Sequence, residues 1–556
     1  MSNEGKIYEA YQAGSKSKNK CVLILASSIK LAIKAVSFFG RKNHGVIPIS
    51  EQLPNVKNMN FMKLKENSTI KNILKTMGLE IGNNNTDNIR YGSILILTEK
   101  SLYSAQTIGL IINLFHTYWS HLLQNDYFIN SLEVDIDELI IIDNIVKYKW
   151  SNICMDNGVN ICDGAIDVAF GSSYKFVEER RELYKNINFN CTKTKIMTYA
   201  DFIYNEYMNY SYADNIRSIP CIIDGLKPYP RMVLNILLCN SASQTTIKKI
   251  CTDLVHDNNM LPISCAKDVI YHMSANYKLF NAVNILTIKG HGKSILYRDN
   301  DINSNDTVSL DPLLQRYVYF NRFDRPIHFD KHNPLSKYTP IIHVPIVPIV
   351  LFNQCCGICS GFSTSIPSWH PIDICENLLR LLNRKKMIPL KPWIKGYESL
   401  IEKVSDFRYL VKAEFIIKKK FCIKITKLPV EQTIDRYKEF LNNMISGQKS
   451  IIKSYKEKCT NNEVNIKIIL NKEITKNNEE QILRKLKLVN IIDLNNMHLI
   501  TPDGHIKKYN TCEEILQDYY EYVIGIYEGI CGKGARDQWS YDIHKFMDEY
   551  QLLNQD

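Results

Sequence analysis

The sequence predicts a multidomain chain of α/β and α+β units, and three observations lead there. Its 556 residues exceed what one hydrophobic core organises, since a domain takes about 150. Hydrophobic residues at 45% and charged residues at 23% are globular values, which excludes collagen-like, mucin-like and largely disordered chains. Buried-strand runs alternate with helical periodicity early in the chain and give way later to mixed strand and helix patterns.

The elements follow in order. Cys21-Val-Leu-Ile-Leu25 reads as a buried strand with a helix beyond it, and Ile94-Leu-Ile-Leu-Thr98 as a second strand. In the helix that follows, Ser104 to Leu123, Ile108, Ile111, Phe115, Tyr118 and Leu122 recur at three- and four-residue steps, and Gly109 permits close packing. Ligands in open α/β sheets sit beyond the carboxyl ends of strands, so the turns after Leu25 and Thr98 are where chemistry is expected. A Lys/Tyr/Asn-rich stretch from about Tyr148 to Asp201 reads as a connector. Asp224-Gly225, Pro228 and Pro230 then bend the backbone between apolar helices, as a helix-turn-helix-like unit requires. From Pro340 to Leu351 a β-rich run leads to a Cys/Gly loop and a helix over Pro371 to Leu382. A mixed strand and helix region runs on to about Tyr509. Thr511-Cys-Glu-Glu514 has capping-box spacing, and Ile515, Tyr519, Val523 and Ile526 stripe the helix behind it.

No run of about eighteen apolar residues occurs. The nearest candidate, His343 to Phe362, is interrupted by Pro345, Pro348, Asn353 and Gln354, and the opening Met1-Ser2-Asn3-Glu4-Gly5 has no apolar signal core. The expectation is a soluble intracellular protein with no membrane partner. Its 16 cysteines then read as reduced, mostly buried thiols rather than a disulfide framework. Sixty-nine basic against 58 acidic residues give a net charge of +11, which suits a polyanionic partner without identifying one.

An ordered set of motifs narrows the reading. Arg217-Ser-Ile-Pro, Asp224-Gly-Leu-Lys-Pro, Arg231-x-Val-Leu234, Tyr271-His272, Arg316-Tyr317, Ile346 to Asn353 and Gly361-Phe-Ser-Thr-Ser-Ile-Pro367 resemble, in order and spacing, the breakage-reunion core of eukaryotic-type DNA topoisomerase II. Upstream, Cys21 to Phe39, Gly45 to Ile49, Ile73 to Gly78 and Arg90 to Leu123 resemble that family's TOPRIM domain. Downstream the resemblance continues through Ile425 to Val430 and Ile506 to Tyr509 to the first arm of a coiled coil. It implies a TOPRIM-like domain over 1–147, a connector over 148–200, a winged-helix-like domain over 201–335, a tower-like domain over 336–510 and a truncated coiled-coil helix over 511–556. It also implies that this chain carries no amino-terminal ATPase module, hence no ATP site, and ends before the carboxy-terminal gate.

For chemistry, the resemblance makes Tyr317 the nucleophile. A tyrosine attacking a DNA phosphodiester forms a phosphotyrosyl link that conserves bond energy and can be resealed. Arg316 stands beside it, and a planar guanidinium can pair with phosphate oxygens. Taken alone, an Arg-Tyr pair in a chain with 32 tyrosines is a packed aromatic next to a solvated charge; its place between longer matches is what distinguishes it.

The metal site departs from the family pattern. There a glutamate after the first strand and an Asp-x-Asp-x-Asp run after the later one hold Mg²⁺, a hard cation that takes oxygen ligands. Here those positions read Ser27 and Glu99-Lys-Ser101-Leu-Tyr103, so Glu99 is the one remaining metal candidate, in a degenerate site. The family's Arg-Gly-Lys reads Ser50-Glu51-Gln52, its Lys-Gly-Leu-Gly reads Val168-Ala-Phe-Gly171, and the second of its paired histidines is Met273. Glu133, Asp135 and Asp137 alternate with apolar residues on one strand face and could hold a cation, but a solvated edge face accounts for them.

Duplex binding needs only charge and reach. The resemblance assigns backbone contacts to Arg217, Lys227 and Arg231, a place beside the DNA to His272, and to Ile366 a wedge between base pairs that bends the duplex. Ordinary strand packing is the other reading of Ile366, and a core or backbone-bonded imidazole that of His272. Lys418-Lys-Lys420 reads as a solvated face, with DNA contact the alternative. Cys356-Gly-Ile-Cys359 has metal-ligand spacing but no second pair, and reads as small residues in a tight turn. The implied partners are double-stranded DNA and a second copy, a full-length topoisomerase II or an ATPase-bearing subunit, in the nucleus or another DNA-containing compartment. Two functions remain open: an ATP-hydrolysing DNA topoisomerase assembled with such a partner, with breakage and rejoining impaired in this chain alone, or a noncatalytic DNA-architectural or regulatory module.

Overall fold

The structure is a computed structural model that describes residues 6–49, 53–60, 64, 66–99, 101, 103–134, 145–149, 155–156, 159–185, 196–239, 244–257, 263–274, 283–289, 305–317, 342–428, 432–447, 450–460, 463–475 and 478–553. The chain divides into two compact units, Met1–Asp214 and Asn215–Asp556.

The first unit is built on a six-stranded sheet. Strands β1 (Val22–Ala26) and β2 (His44–Pro48) flank helix α1 (Ile29–Phe39); helix α2 (Ser68–Met77) precedes β3 (Ser93–Glu99), and α3 (Ser104–Leu123) connects it to β4 (Ile129–Val134). β5 (Ile145–Lys149), helix α4 (Ile161–Phe170) and β6 (Ile196–Thr198) complete it, in the order β2-β1-β3-β4-β5-β6. β1, β2, β3 and β4 are parallel, so their apolar runs are covered on both faces, which is why Leu23, Ile24, Ile94 and Ile96 are fully buried. Helix α3 spans the residues that the periodicity predicts, with Trp119 at φ −144° marking a kink inside it.

In the second unit, α5 (Met208–Ser218), which the division crosses, leads to α6 (Pro228–Cys239). β7 (Thr245–Thr246), α7 (Ile247–Asp257), α8 (Ile263–Ser274), β8 (Leu286–Lys289), β9 (Thr307–Leu310) and α9 (Pro312–Tyr317) follow. β8, β9 and β7 form an antiparallel sheet in that order. Val233 and Leu234 of α6, Ile250 and Leu254 of α7, Ile270 of α8 and Val308 of β9 fill one core with the 342–352 segment. A hairpin, β10 (Cys355–Cys359) and β11 (Phe362–Ile366), precedes α10 (Pro371–Leu382).

Among the described residues, three further sheets occupy the region from Ile401 onward. The chain passes from α10 into β12 (Ile401–Ser405) and β13 (Arg408–Lys412), which join the later strand β18 (Val489–Asp493) in a three-stranded sheet. β14 (Glu414–Lys419), β15 (Cys422–Lys427), helix α11 (Ile434–Ser446), β16 (Ile452–Glu457) and β17 (Ile466–Leu470) give a four-stranded antiparallel sheet ordered β14-β15-β17-β16. Its inner face, with Ile423, Ile425, Ile466 and Ile468, packs on Tyr437 and Leu441 of α11 and on helix α12 (Glu479–Lys485). Strands β19 (Met497–Ile500) and β20 (Ile506–Tyr509) follow β18 and pair antiparallel as the third sheet.

Thr511 caps the next helix by accepting from Glu514 N–H at 3.2 Å, as the capping spacing predicts. Where the sequence suggests a single stem helix over 511–556, the structure has two: α13 (Cys512–Cys531) and α14 (Ala535–Leu553). Gly532, at φ +58°, turns the chain between them, and Trp539 stacks on Tyr527 at 5.1 Å and on Tyr520 at 5.8 Å. Burying these large rings is what brings α14 back against α13. Trp539 also donates to Ile346 O at 2.8 Å and Tyr519 to Pro345 O at 2.5 Å, which fixes the 342–352 segment. Among the described residues the cysteines are free thiols, and no helix is long and apolar enough to cross a membrane.

Candidate nucleic-acid interface

The loop after α5 sets the geometry. Asp224 accepts from Leu226 N–H at 3.0 Å and so closes its own turn, while Gly225 holds φ +67° with Val350 N only 2.7 Å from where a Cβ would stand. Arg231, one turn into α6, reaches back to Asp224 in a two-pronged pair, Nε to Oδ2 at 2.5 Å and Nη2 to Oδ1 at 3.0 Å, and donates to Leu226 O. Both residues are buried, Arg231 at 2% and Asp224 at 0% exposure. This guanidinium is therefore turned inward, a strut of the loop, whereas the sequence reading set it against a phosphate. Asp224 was legible only as a turn former; its partnership seven residues on depends on the helix bringing Arg231 back over the loop.

Lys227 is half-buried and extends to the β10–β11 hairpin, where its ammonium donates to Cys356 O at 2.7 Å. Gly357 packs so closely on Ser218 that a Cβ there would stand 2.1 Å from the Ser218 carbonyl oxygen. Lys227, the end of α5 that carries Arg217, and the hairpin thus meet on one surface. Ile366 closes this hairpin on its inner side, fully buried and opposite Cys355. In this conformation it is a core residue, not a projecting wedge. The exposed side of the same hairpin carries Ile358, which is 86% exposed. Burial pushes the Cys355 thiol up to about 12, so it is protonated and inert at neutral pH.

His272 is on the exposed side of α8, with Met273 turned into the core. Arg316 and Tyr317 end helix α9, whose start is fixed by Asp311 accepting from Leu313 N–H at 3.0 Å and whose Leu313 and Leu314 anchor it in the core.

At the other candidate centre, beyond the carboxyl ends of β1 and β3, Glu99 accepts a hydrogen bond from Ser28 Oγ at 3.2 Å. That hydroxyl also accepts from Leu31 N–H at 3.2 Å and caps α1, so the carboxylate sits at a helix N-terminus, where the dipole favours it. Ser104 Oγ donates to Glu99 O at 2.7 Å and shapes the turn into α3. Among the described residues no group of three or more His, Cys, Asp or Glu could hold a metal ion. One carboxylate engaged by a serine does not fit octahedral Mg²⁺. Ser50-Glu51-Gln52, Lys100, Asp135 and Asp137 lie outside the described residues. Of Lys418-Lys-Lys420, Lys420 pairs with Glu473 at 2.5 Å and Lys418 is exposed.

Residues 217–531, more than half of the chain, match the family model of the DNA gyrase/topoisomerase IV A subunit. The chain belongs to this family. The match begins at Arg217 and runs through the loop, the hairpin and α13, so it covers the Lys227 surface. DNA topoisomerase 2 of Plasmodium falciparum is 27% identical over 606 residues, spanning 99% of this chain and 42% of that protein. DNA topoisomerase 2-alpha of Rattus norvegicus is 28% identical over 613 residues, spanning 96% of this chain and 39% of that protein. The chain thus spans about two-fifths of the length of these relatives. Its fold is that of the Plasmodium falciparum topoisomerase II DNA-binding, cleavage and re-ligation domain, with a TM-score of 0.66 at 24% identity, covering 95% of this chain and 80% of that one.

Proposed function

We propose that this type II topoisomerase-like core binds and bends double-stranded DNA, and that strand breakage by Tyr317 is strongly reduced in this chain by itself. The observation that carries the first half is the convergence of Arg217, Lys227 and the β10–β11 hairpin within the region matched to the gyrase family. Phosphate contacts need cations within reach on a rigid frame, and the close packing of buried Gly357 on Ser218 supplies that frame. The second half is supported by the Glu99 and Ser28 pair, which among the described residues leaves one carboxylate where phosphoryl chemistry of this class uses several to hold metal. The chain acts in the nucleus or another DNA-containing compartment, as a homodimer or beside an ATPase-bearing subunit.

The test is fluorescence anisotropy and end-to-end energy transfer with a labelled duplex across a salt series. Binding that weakens steeply with salt, together with shortening of the end-to-end distance, is the expected result; absence of binding at low salt refutes the reading. A second reading, a competent enzyme whose missing ligands come from a partner chain, is favoured by the retention of Arg316-Tyr317 at the end of an anchored helix.

A further inference from the structure

The four-stranded sheet β14-β15-β17-β16 carries a charge pattern that folding does not explain. Lys424 of β15 is directly opposite Lys467 of β17, and Lys467 directly opposite Lys456 of β16. Their neighbours Ile423, Ile425, Ile466 and Ile468 are fully buried on the helix-covered side, so the three lysines share the other face. Lys467 and Lys456 are exposed and Lys424 is half-exposed, while on β14 the residue directly opposite Lys424 is the exposed Ile416. Like charges directly opposite on adjacent strands destabilise a sheet. Among the described residues none of the three makes an ion pair, and Glu457 of the same sheet is taken by Lys438 of α11 at 2.9 Å. The neighbouring sheet shows the ordinary solution: Arg408 is opposite Asp493 and paired at 3.1 Å, and Lys412 pairs with Glu402 at 2.7 Å.

We infer that this lysine ladder is a second phosphate-backbone contact for duplex DNA, separate from the Lys227 hairpin surface. The inference rests on the duplex reading of this chain. Three strands about 4.8 Å apart set the lysines across about 10 Å, a distance over which a duplex presents about six phosphate charges at one per 1.7 Å of axis. Flexible lysine stems need no base-specific geometry to reach them, and a polyanion relieves the repulsion that the bare sheet carries.

The experiment compares the full chain with Lys424→Gln/Lys456→Gln/Lys467→Gln on a long duplex between about 50 and 200 mM salt. The slope of log affinity against log salt should fall by about 0.9 for each phosphate that is no longer neutralised, hence by up to about 2.7. The melting temperature should hold or rise, since like charges have been removed, which separates weaker phosphate binding from a damaged fold. If the wild type binds duplex and the triple variant keeps its slope and affinity, the ladder is refuted while the duplex reading stands; if the wild type does not bind duplex, both fall. A variant unchanged on duplex but impaired for polyglutamate would assign the face to an acidic protein and overturn the proposal.

Discussion

Lys227 and Arg231 stand four positions apart in one motif, yet they have opposite physical fates. Arg231 is buried against Asp224, and removing one member of a buried pair strands the other charge. Arg231→Ala should therefore cost about 3–5 kcal/mol and lower the melting temperature sharply, so weakened DNA binding by that variant reports on the fold. Lys227→Ala should leave the melting temperature nearly unchanged while reducing the salt slope of duplex binding by about 0.9, read by anisotropy. A Lys227 variant with wild-type slope would remove it from the interface. The motif made the cationic character of both residues legible. It could not say which one points inward, because that depends on the turn at Gly225, which brings Asp224 beneath α6.

At the scale of elements, the hairpin and the paired C-terminal helices depend on single backbone positions. Gly532 holds φ +58° and ψ −131° with open space around it, so Gly532→Ala meets no neighbour and its cost is backbone strain alone, about 1–3 kcal/mol. Chemical denaturation should show that loss; an unchanged midpoint would mean that the turn between α13 and α14 is not fixed by glycine. The 342–352 segment brings a pH dependence. Burial depresses the pKa of His343 below its usual 6.5, with the Asp224 carboxylate opposing and the Arg231 guanidinium adding to the effect. The unfolded chain then takes up this proton first, so stability is full above about pH 6.5 and falls as the pH drops towards the folded value. His343→Gln should flatten the fall in melting temperature between about pH 7 and 5.5, the range in which a histidine titrates; a parallel curve would exclude this histidine as a contributor. Helix α10 was legible because it buries one face, and α3 because large apolar residues recur at three- and four-residue steps although Ile108 to Phe115 are buried all round, whereas the break at Gly532 was not, since aromatic residues continue the apolar stripe past it.

For the molecule as a whole, the question is whether a core that holds duplex can also cut it. Tyr317 has its place in sequence and on α9, and Glu99 is retained at the end of β3, but the latter is tied to Ser28. Covalent trapping on supercoiled DNA with Mg²⁺ or Mn²⁺ should give little or no protein-linked product from this chain by itself. Adduct formed by wild type and lost in Tyr317→Phe only after adding an ATPase-bearing partner would favour the split-enzyme reading. Robust adduct without any partner would overturn the claim of reduced breakage.

The sequence by itself determined the mixed multidomain architecture, the ordered motifs and the thinning of acidic residues at the expected metal position, because periodicity and residue identity are local. Only the tertiary structure decided that Arg231 is a buried strut, that Ile366 lies in the core, that Ser28 holds Glu99, and that three lysines from separate strands form one row. Each of these depends on which distant segments meet, and strand register and helix packing are set by the whole buried surface rather than by any one stretch of chain.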